Sequence, residues 1–136
     1  MQNPASKPRH HVVVIENDSL IQEGLRLLLL DLNCKANIVN SFNPWQTQIQ
    51  ALIGHPHLII ATTMSESRAS VERLVDKIRA YFREDIPVIL LAVDDEVAVL
   101  TIRPDNVIVL PGTLDPKGLR KVISALLHGE LYGSIC

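Results

Sequence analysis

Short apolar runs alternate along the chain with longer stretches in which apolar positions recur every three to four residues. The first run, "HVVVI" (11–15), is β-branched and unbroken, as expected of a strand covered on both faces. It leads into "ENDS" (16–19), where Asp18 or Ser19 is placed to cap a helix over about Ser19 to Asp31. That helix carries Leu20, Ile21, Leu25, Leu28 and Leu32 at helical spacing, and each leucine fully buried against a sheet contributes roughly 1.5–3 kcal/mol. "KANIVNS" (35–41) is a weaker second strand. "NPWQTQIQALIG" (43–54) reads as a helix entered at Asn43–Pro44 and closed at Gly54. "HLIIATT" (57–63) is the third strand and "SESRASVERLVDKIRAYF" (65–82) the third helix, with Val71, Leu74, Val75, Ile78 and Phe82 as its inner stripe.

The second half repeats the alternation. "IPVILLAV" (86–93) is the clearest buried strand, and "DDEVAVLTI" (94–102) is a short helical pattern ending before Pro104. "NVIVL" (106–110) is a fifth strand. "DPKGLRKVISALLHG" (115–129) is a last helix, with Asp115 as its cap, Pro116 in first position and Gly129 at its end, although Gly118 weakens its interior. Five strands alternating with five helical segments predict an α/β domain, with a parallel sheet, right-handed crossovers and helices on both faces. Such a sheet opens a crevice above the carboxyl ends of its strands, near Glu16, Thr62, Ala92 and the "LPGT" turn.

Composition narrows the function classes. At 136 residues, 47% apolar, the chain suits one domain, with 1–10 as a polar leader or linker, 11–130 as the domain and 131–136 as a tail. Its formal charge of −2 comes from scattered acids and bases, which argues against a nucleic-acid partner. Cys34 and Cys136 match no disulfide, zinc or redox pattern, so a reducing, cytoplasmic setting is expected. The leader resembles neither a signal peptide nor a transit peptide. No apolar run approaches the ~20 residues that span a bilayer, since Arg26 and Asp31 interrupt "LRLLLLDL", so no membrane is expected.

The stretches "VVVIENDSLIQEGLRLLL", "HPHLIIATTM", "IPVILLAVDD" and "LPGTLDPKGLRKVI" resemble, over about residues 10 to 130, the receiver domains of two-component response regulators. The resemblance implies a flavodoxin-like, doubly wound (βα)5 fold with strand order 2-1-3-4-5. It sets Glu16 and Asn17 on the family's acid pair and Thr62 on the phosphoacceptor aspartate. Ala92 falls on the hydroxyl residue that ends the fourth strand, and Gly112 with Thr113 on the lysine and proline that follow the fifth. Within the family, "SLIQEGLRLLLLDLNC", "HLIIA" and "IPVILLAVDD" resemble the receivers at the carboxyl end of hybrid sensor histidine kinases. The scaffold is therefore matched while the reactive set is replaced.

A phosphorylated receiver takes a phosphoryl group from phosphohistidine onto an ionised carboxylate, with Mg²⁺ held by that carboxylate and the acid pair. Such transfer rests on positioning and charge neutralisation. A unit charge pair at 4 Å is worth about 4 kcal/mol at an effective dielectric of 20, and a divalent ion roughly doubles it. Asn17 and Thr62 in place of two carboxylates remove most of that attraction. A threonine hydroxyl needs an activating base or metal, and Glu16 is the one acid nearby. The expectation is a degenerate receiver: no catalysis, no cofactor, no metal, and a regulatory role through protein contacts, with a histidine kinase core or other signalling protein as partner.

Other residues of the same chemical types fit such a site less well. Glu66 lies four positions beyond Thr62, and Asp94 and Asp95 suit helix capping better than the crevice. His10 and His11 are adjacent and so point to opposite faces of a strand, while His55 and His57 share a face but lack a third ligand. Cys34 reads as an apolar filler, and Trp45 as either a partner anchor or a core residue. For contacts, the resemblance points to the surface of the fourth helix, fifth strand and fifth helix, with homodimerisation there among the expectations. Val97, Leu100 and Ile102 cannot all face inward on so short a helix, and Arg120 and Lys121 would form a polar rim. Three rival readings stay open: a small-ligand sensor using an emptied crevice, an enzyme of flavodoxin-like fold, and a phosphorylatable receiver with an unusual acceptor. The second lacks a Gly-rich phosphate loop after the first strand.

Overall fold

Strand β1 (His10–Ile15) leads into helix α1 (Ser19–Asp31), followed by β2 (Cys34–Val39), β3 (Leu58–Thr63), helix α2 (Arg68–Tyr81), β4 (Val88–Ala92), β5 (Thr101–Arg103), β6 (Val107–Pro111) and helix α3 (Pro116–His128). These elements come from a computed structural model that describes residues 10–39, 56–63, 68–82, 85–92, 101–103, 106–111 and 115–128. One six-stranded sheet holds all the described strands in the order β2-β1-β3-β4-β6-β5. The first five are parallel and correspond to the predicted 2-1-3-4-5 order. The predicted second helix (43–54) with Trp45, the leader to residue 9 and the chain beyond 128 lie outside the described residues.

Period-two alternation sends successive strand residues to opposite faces, and both faces are covered. Val13, Ile15, Ile59, Ala61, Val88, Leu90, Val107 and Val109 meet Val75 and Ile78 of α2 and Phe82 just after it, three residues of the predicted stripe, while Leu74 packs half-buried at the edge. On the other face Val12, Val14, Leu58, Ile60, Ile89, Ile108 and Leu110 meet Leu25 and Leu29 of α1 and Leu119, Ile123 and Leu126 of α3. Burial on both sides explains why the strands read as unbroken apolar runs.

Two expectations need correction. The stripe of α1 centres on Leu25 and Leu29, which are buried, while Leu20 is 80% and Ile21 42% exposed. Leu20 stands five positions before Leu25, about 140° around the helix at 3.6 residues per turn, so it cannot share the stripe. The second correction concerns the predicted short helix at 94–102. Its last two residues, Thr101 and Ile102, belong instead to β5, which pairs antiparallel with β6, Ile102 opposite Ile108 and Arg103 opposite Val107. Thr101 and Ile102 are β-branched, and Arg103 precedes Pro104, which disfavours helical backbone. Asn106 closes the three-position connection at φ 66°, the left-handed residue such hairpins use.

Helix ends follow local chemistry. Asp18 caps α1 by accepting from the Leu20 and Ile21 N–H groups at 2.8 and 3.1 Å. Asn33, at φ 59°, ends it in the left-handed conformation and donates its N–H to the Leu30 carbonyl. No described helix is long and apolar enough to cross a membrane.

Candidate functional site

Parallel register builds the crevice. Ile15 pairs with Ala61, and Ala61 with Leu90, so the next residue along each strand, Glu16 after β1 and Thr62 in β3, comes side by side at the carboxyl end. Ala92 ends β4 opposite Thr63 and Pro111. Glu16, Thr62 and the backbone of Ala92 thus share one rim, as the sequence places them. Gly112 and Thr113 fall outside the described residues, as do Glu66, Asp94 and Asp95.

Glu16 is the chief feature of this rim. It is only 7% exposed, the sole buried charged residue among those described. Its N–H continues the ladder to the Val39 carbonyl at 3.0 Å, which fixes the backbone. Oε1 accepts the Asn17 and Asp18 N–H groups, both at 2.9 Å. Oε2 accepts the Thr62 hydroxyl. Gln22 Nε2 donates to the Glu16 carbonyl at 2.5 Å, pinning the strand end to α1. A carboxylate offers about four lone-pair sites, and three are taken by groups of this chain.

As a donor set for a divalent cation these groups do not fit. Mg²⁺ asks for near-octahedral oxygen geometry with one or two carboxylates facing it. Glu16 has about one lone pair left. Asn17 is neutral and exposed, Thr62 spends its proton on Glu16, and Asp18 Oδ1 is engaged by the α1 N-terminus. Among the described residues no group of three or more His, Cys, Asp or Glu is placed to hold a metal ion. The Thr62–Glu16 pair sets a hydroxyl against a carboxylate whose other oxygen is held by the Asn17 and Asp18 N–H groups.

The remaining sequence candidates scatter. Arg120 and Lys121 are exposed on α3, and Arg120 forms an ion pair with Asp31 at the end of α1. Ile102 is on an edge strand, away from the helix the sequence suggested, and Val97 and Leu100 lie outside the described residues. Cys34 is buried among the α1-side residues, and burial pushes its thiol pKa up, the opposite of an activated cysteine. One grouping escaped the sequence reading. His10 meets His57 edge-on at 5.0 Å between ring centroids and His128 at 6.0 Å, and His57 Nδ1 accepts the His11 N–H at 3.0 Å. The parallel pairing of β1 with β3 was the signal for bringing His57 beside His10 and His11, whereas nothing in the pattern pointed to His128 at the end of α3.

No protein-family model matches the chain, and no curated protein matches it. Solved structures do. A LuxR family DNA-binding response regulator from Silicibacter pomeroyi matches with a TM-score of 0.66 and 20% identity, over 89% of this chain and 93% of that one. The PhyR response regulator REC domain from Erythrobacter litoralis matches at 0.61 and 21%, over 88% and 90%. The signal receiver domain of a signal transduction histidine kinase from Syntrophus aciditrophicus matches at 0.58 and 18%, over 88% and 91%. The chain has the flavodoxin-like fold of response-regulator receiver domains.

Proposed function

We propose that this domain, residues 11 to 130, is a degenerate receiver: a cytoplasmic, non-catalytic regulatory module of two-component signalling that works unphosphorylated, through contacts with a histidine kinase core or another signalling protein. The observation that carries the reading is the state of Glu16. In this crevice the retained acid is a structural acceptor for Asn17, Asp18 and Thr62 and has little capacity left for a cation. Phosphoryl transfer leaves the protein mainly the work of placing and neutralising charge. Glu16, Asn17, Thr62 and the backbone of Ala92 then belong to a vestigial pocket, to which the resemblance assigns Gly112 and Thr113. Regulation by such a module requires only that its surface bind one state of a partner better than another.

The test is incubation with acetyl phosphate and Mg²⁺, and separately with a phosphorylated histidine kinase, followed by intact-mass measurement. An unchanged mass is expected. Stoichiometric gain of a phosphoryl group on this chain would defeat the reading.

A further inference from the structure

Helix α3 opens on a charge of the wrong sign. The positive end of a helix dipole favours acids, yet the first turn of α3 holds none and carries Lys117. Its capping comes from Asp115, whose Oδ1 accepts the Gly118 N–H at 2.7 Å. Arg120, Lys121 and Ser124 follow Lys117 at i+3, i+4 and i+7, so the four share one face of the helix. The sheet takes another face, that of Leu119, Ile123 and Leu126.

The polar face lines a groove of about 410 Å³, with Leu32, just past the end of α1, as its apolar wall. Arg120 is fixed there by its ion pair with Asp31, which cancels one charge of each sign. Lys117 and Lys121 are exposed and have no ion pair among the described residues. In a chain of net charge −2, three cations set against Asp31 leave this groove a local surplus of two positive charges.

We propose that the groove binds a soluble organic phosphate, a phosphomonoester carried on a small carbon skeleton. Near neutral pH such a group brings close to two negative charges and three acceptor oxygens, which match the surplus. A carboxylate brings half that charge. The two ammonium groups, one turn apart, meet the phosphate as point charges, and Arg120 offers further N–H donors in a plane already set by Asp31. Ser124 adds a neutral hydroxyl, and Leu32 gives the carbon skeleton an apolar wall. A bound anion would also offset Lys117 at the positive end of α3. The volume suits a small molecule. The inference goes beyond the regulatory reading and does not rest on it, since the groove shares no lining residue with Glu16 or Thr62.

The probe is phenyl phosphate, titrated into the full chain while backbone amides are followed by nuclear magnetic resonance. Controls are phenyl sulfate, which carries a single charge, and vesicles of phosphatidylcholine with phosphatidic acid, which present phosphate on a membrane. Saturable shifts at Leu32 and residues 117–124 are expected with phenyl phosphate, about tenfold tighter than with phenyl sulfate. Binding should weaken as salt rises, and again as pH falls from about 7.5 to about 5 and the ester takes up a proton. Lys117→Gln with Lys121→Gln should weaken it about tenfold, while Arg26→Gln, outside the groove, should leave it unchanged. These side chains are exposed, so circular dichroism should show both variants folded. Absence of a saturable shift, unchanged affinity in the lysine variant, or equal binding of phenyl sulfate would overturn the proposal. Sedimentation with the vesicles without binding of phenyl phosphate would do so too. The acetyl phosphate experiment reads covalent mass, whereas this one reads reversible occupancy. A mass gain with intact phenyl phosphate binding would defeat only the degenerate-receiver reading, and an unchanged mass without binding only this one.

Discussion

Glu16 and Thr62 are 46 positions apart in sequence, yet the hydroxyl of one satisfies the carboxylate of the other. Replacing Thr62 by Val keeps the shape and removes the donor, leaving a buried carboxylate oxygen underbonded. The expected cost is about 1–3 kcal/mol, read as a lower urea midpoint. Glu16→Ala should cost at least as much, since it strands three donors, and the double variant should lose less than the sum because the two residues share one bond. Their meeting was legible in advance, because parallel strands ending together bring these tips together. The use of Oε1 by the next two N–H groups was not, since it depends on how the backbone turns after β1. A second residue-scale test concerns Cys34. In a Cys136→Ser background its thiol should resist iodoacetamide in the native state and react readily in denaturant. Burial raises its folded pKa above the unfolded one. Its contribution to stability is therefore complete below the unfolded pKa and fades as pH rises past it, because the unfolded thiol ionises first.

The ends and faces of elements carry the next set of consequences. Asp18→Ala removes the acceptor for the Leu20 and Ile21 N–H groups and should lower stability by about 0.5–2 kcal/mol, with Asp18→Ser retaining most of it. Thermal unfolding of the two variants side by side checks this. Asn33 illustrates a different constraint: at φ 59°, a β-branched replacement should destabilise while Asn33→Gly is tolerated. Strands were readable because burial on both faces leaves β-branched runs with clear ends. Much of the α2 stripe was readable as well: Val75 and Ile78 are buried, as is Phe82 just beyond the helix, with Leu74 half-buried beside them. Helix α1 misled because leucine fills its outward face as well as its inward one, so periodicity alone could not say which leucines the sheet covers. Strand β5 was hidden for a related reason. Three residues are too few to show alternation, and the decisive signal was Pro-Asp-Asn between Arg103 and Val107, a hairpin connection rather than a helix end.

Over the whole molecule, the alternation of strand and helix was enough to predict the parallel sheet and its two covered faces, and the solved receiver structures share that architecture. Shared architecture leaves function to the site. Here the one buried acid among the described residues, Glu16, is engaged by Asn17, Asp18 and Thr62. Restoring charge should therefore restore cation binding. The variant Asn17→Asp with Thr62→Asp should be destabilised without Mg²⁺, because a second carboxylate is set against Glu16, and should gain stability as Mg²⁺ is added. The native chain should melt at the same temperature with and without the ion. The most direct test of the account follows backbone amides by nuclear magnetic resonance while Mg²⁺ and beryllofluoride are added to the native chain. Unmoved signals for Asn17, Asp18 and Thr62 are predicted, and a saturable shift of those three amides would contradict it.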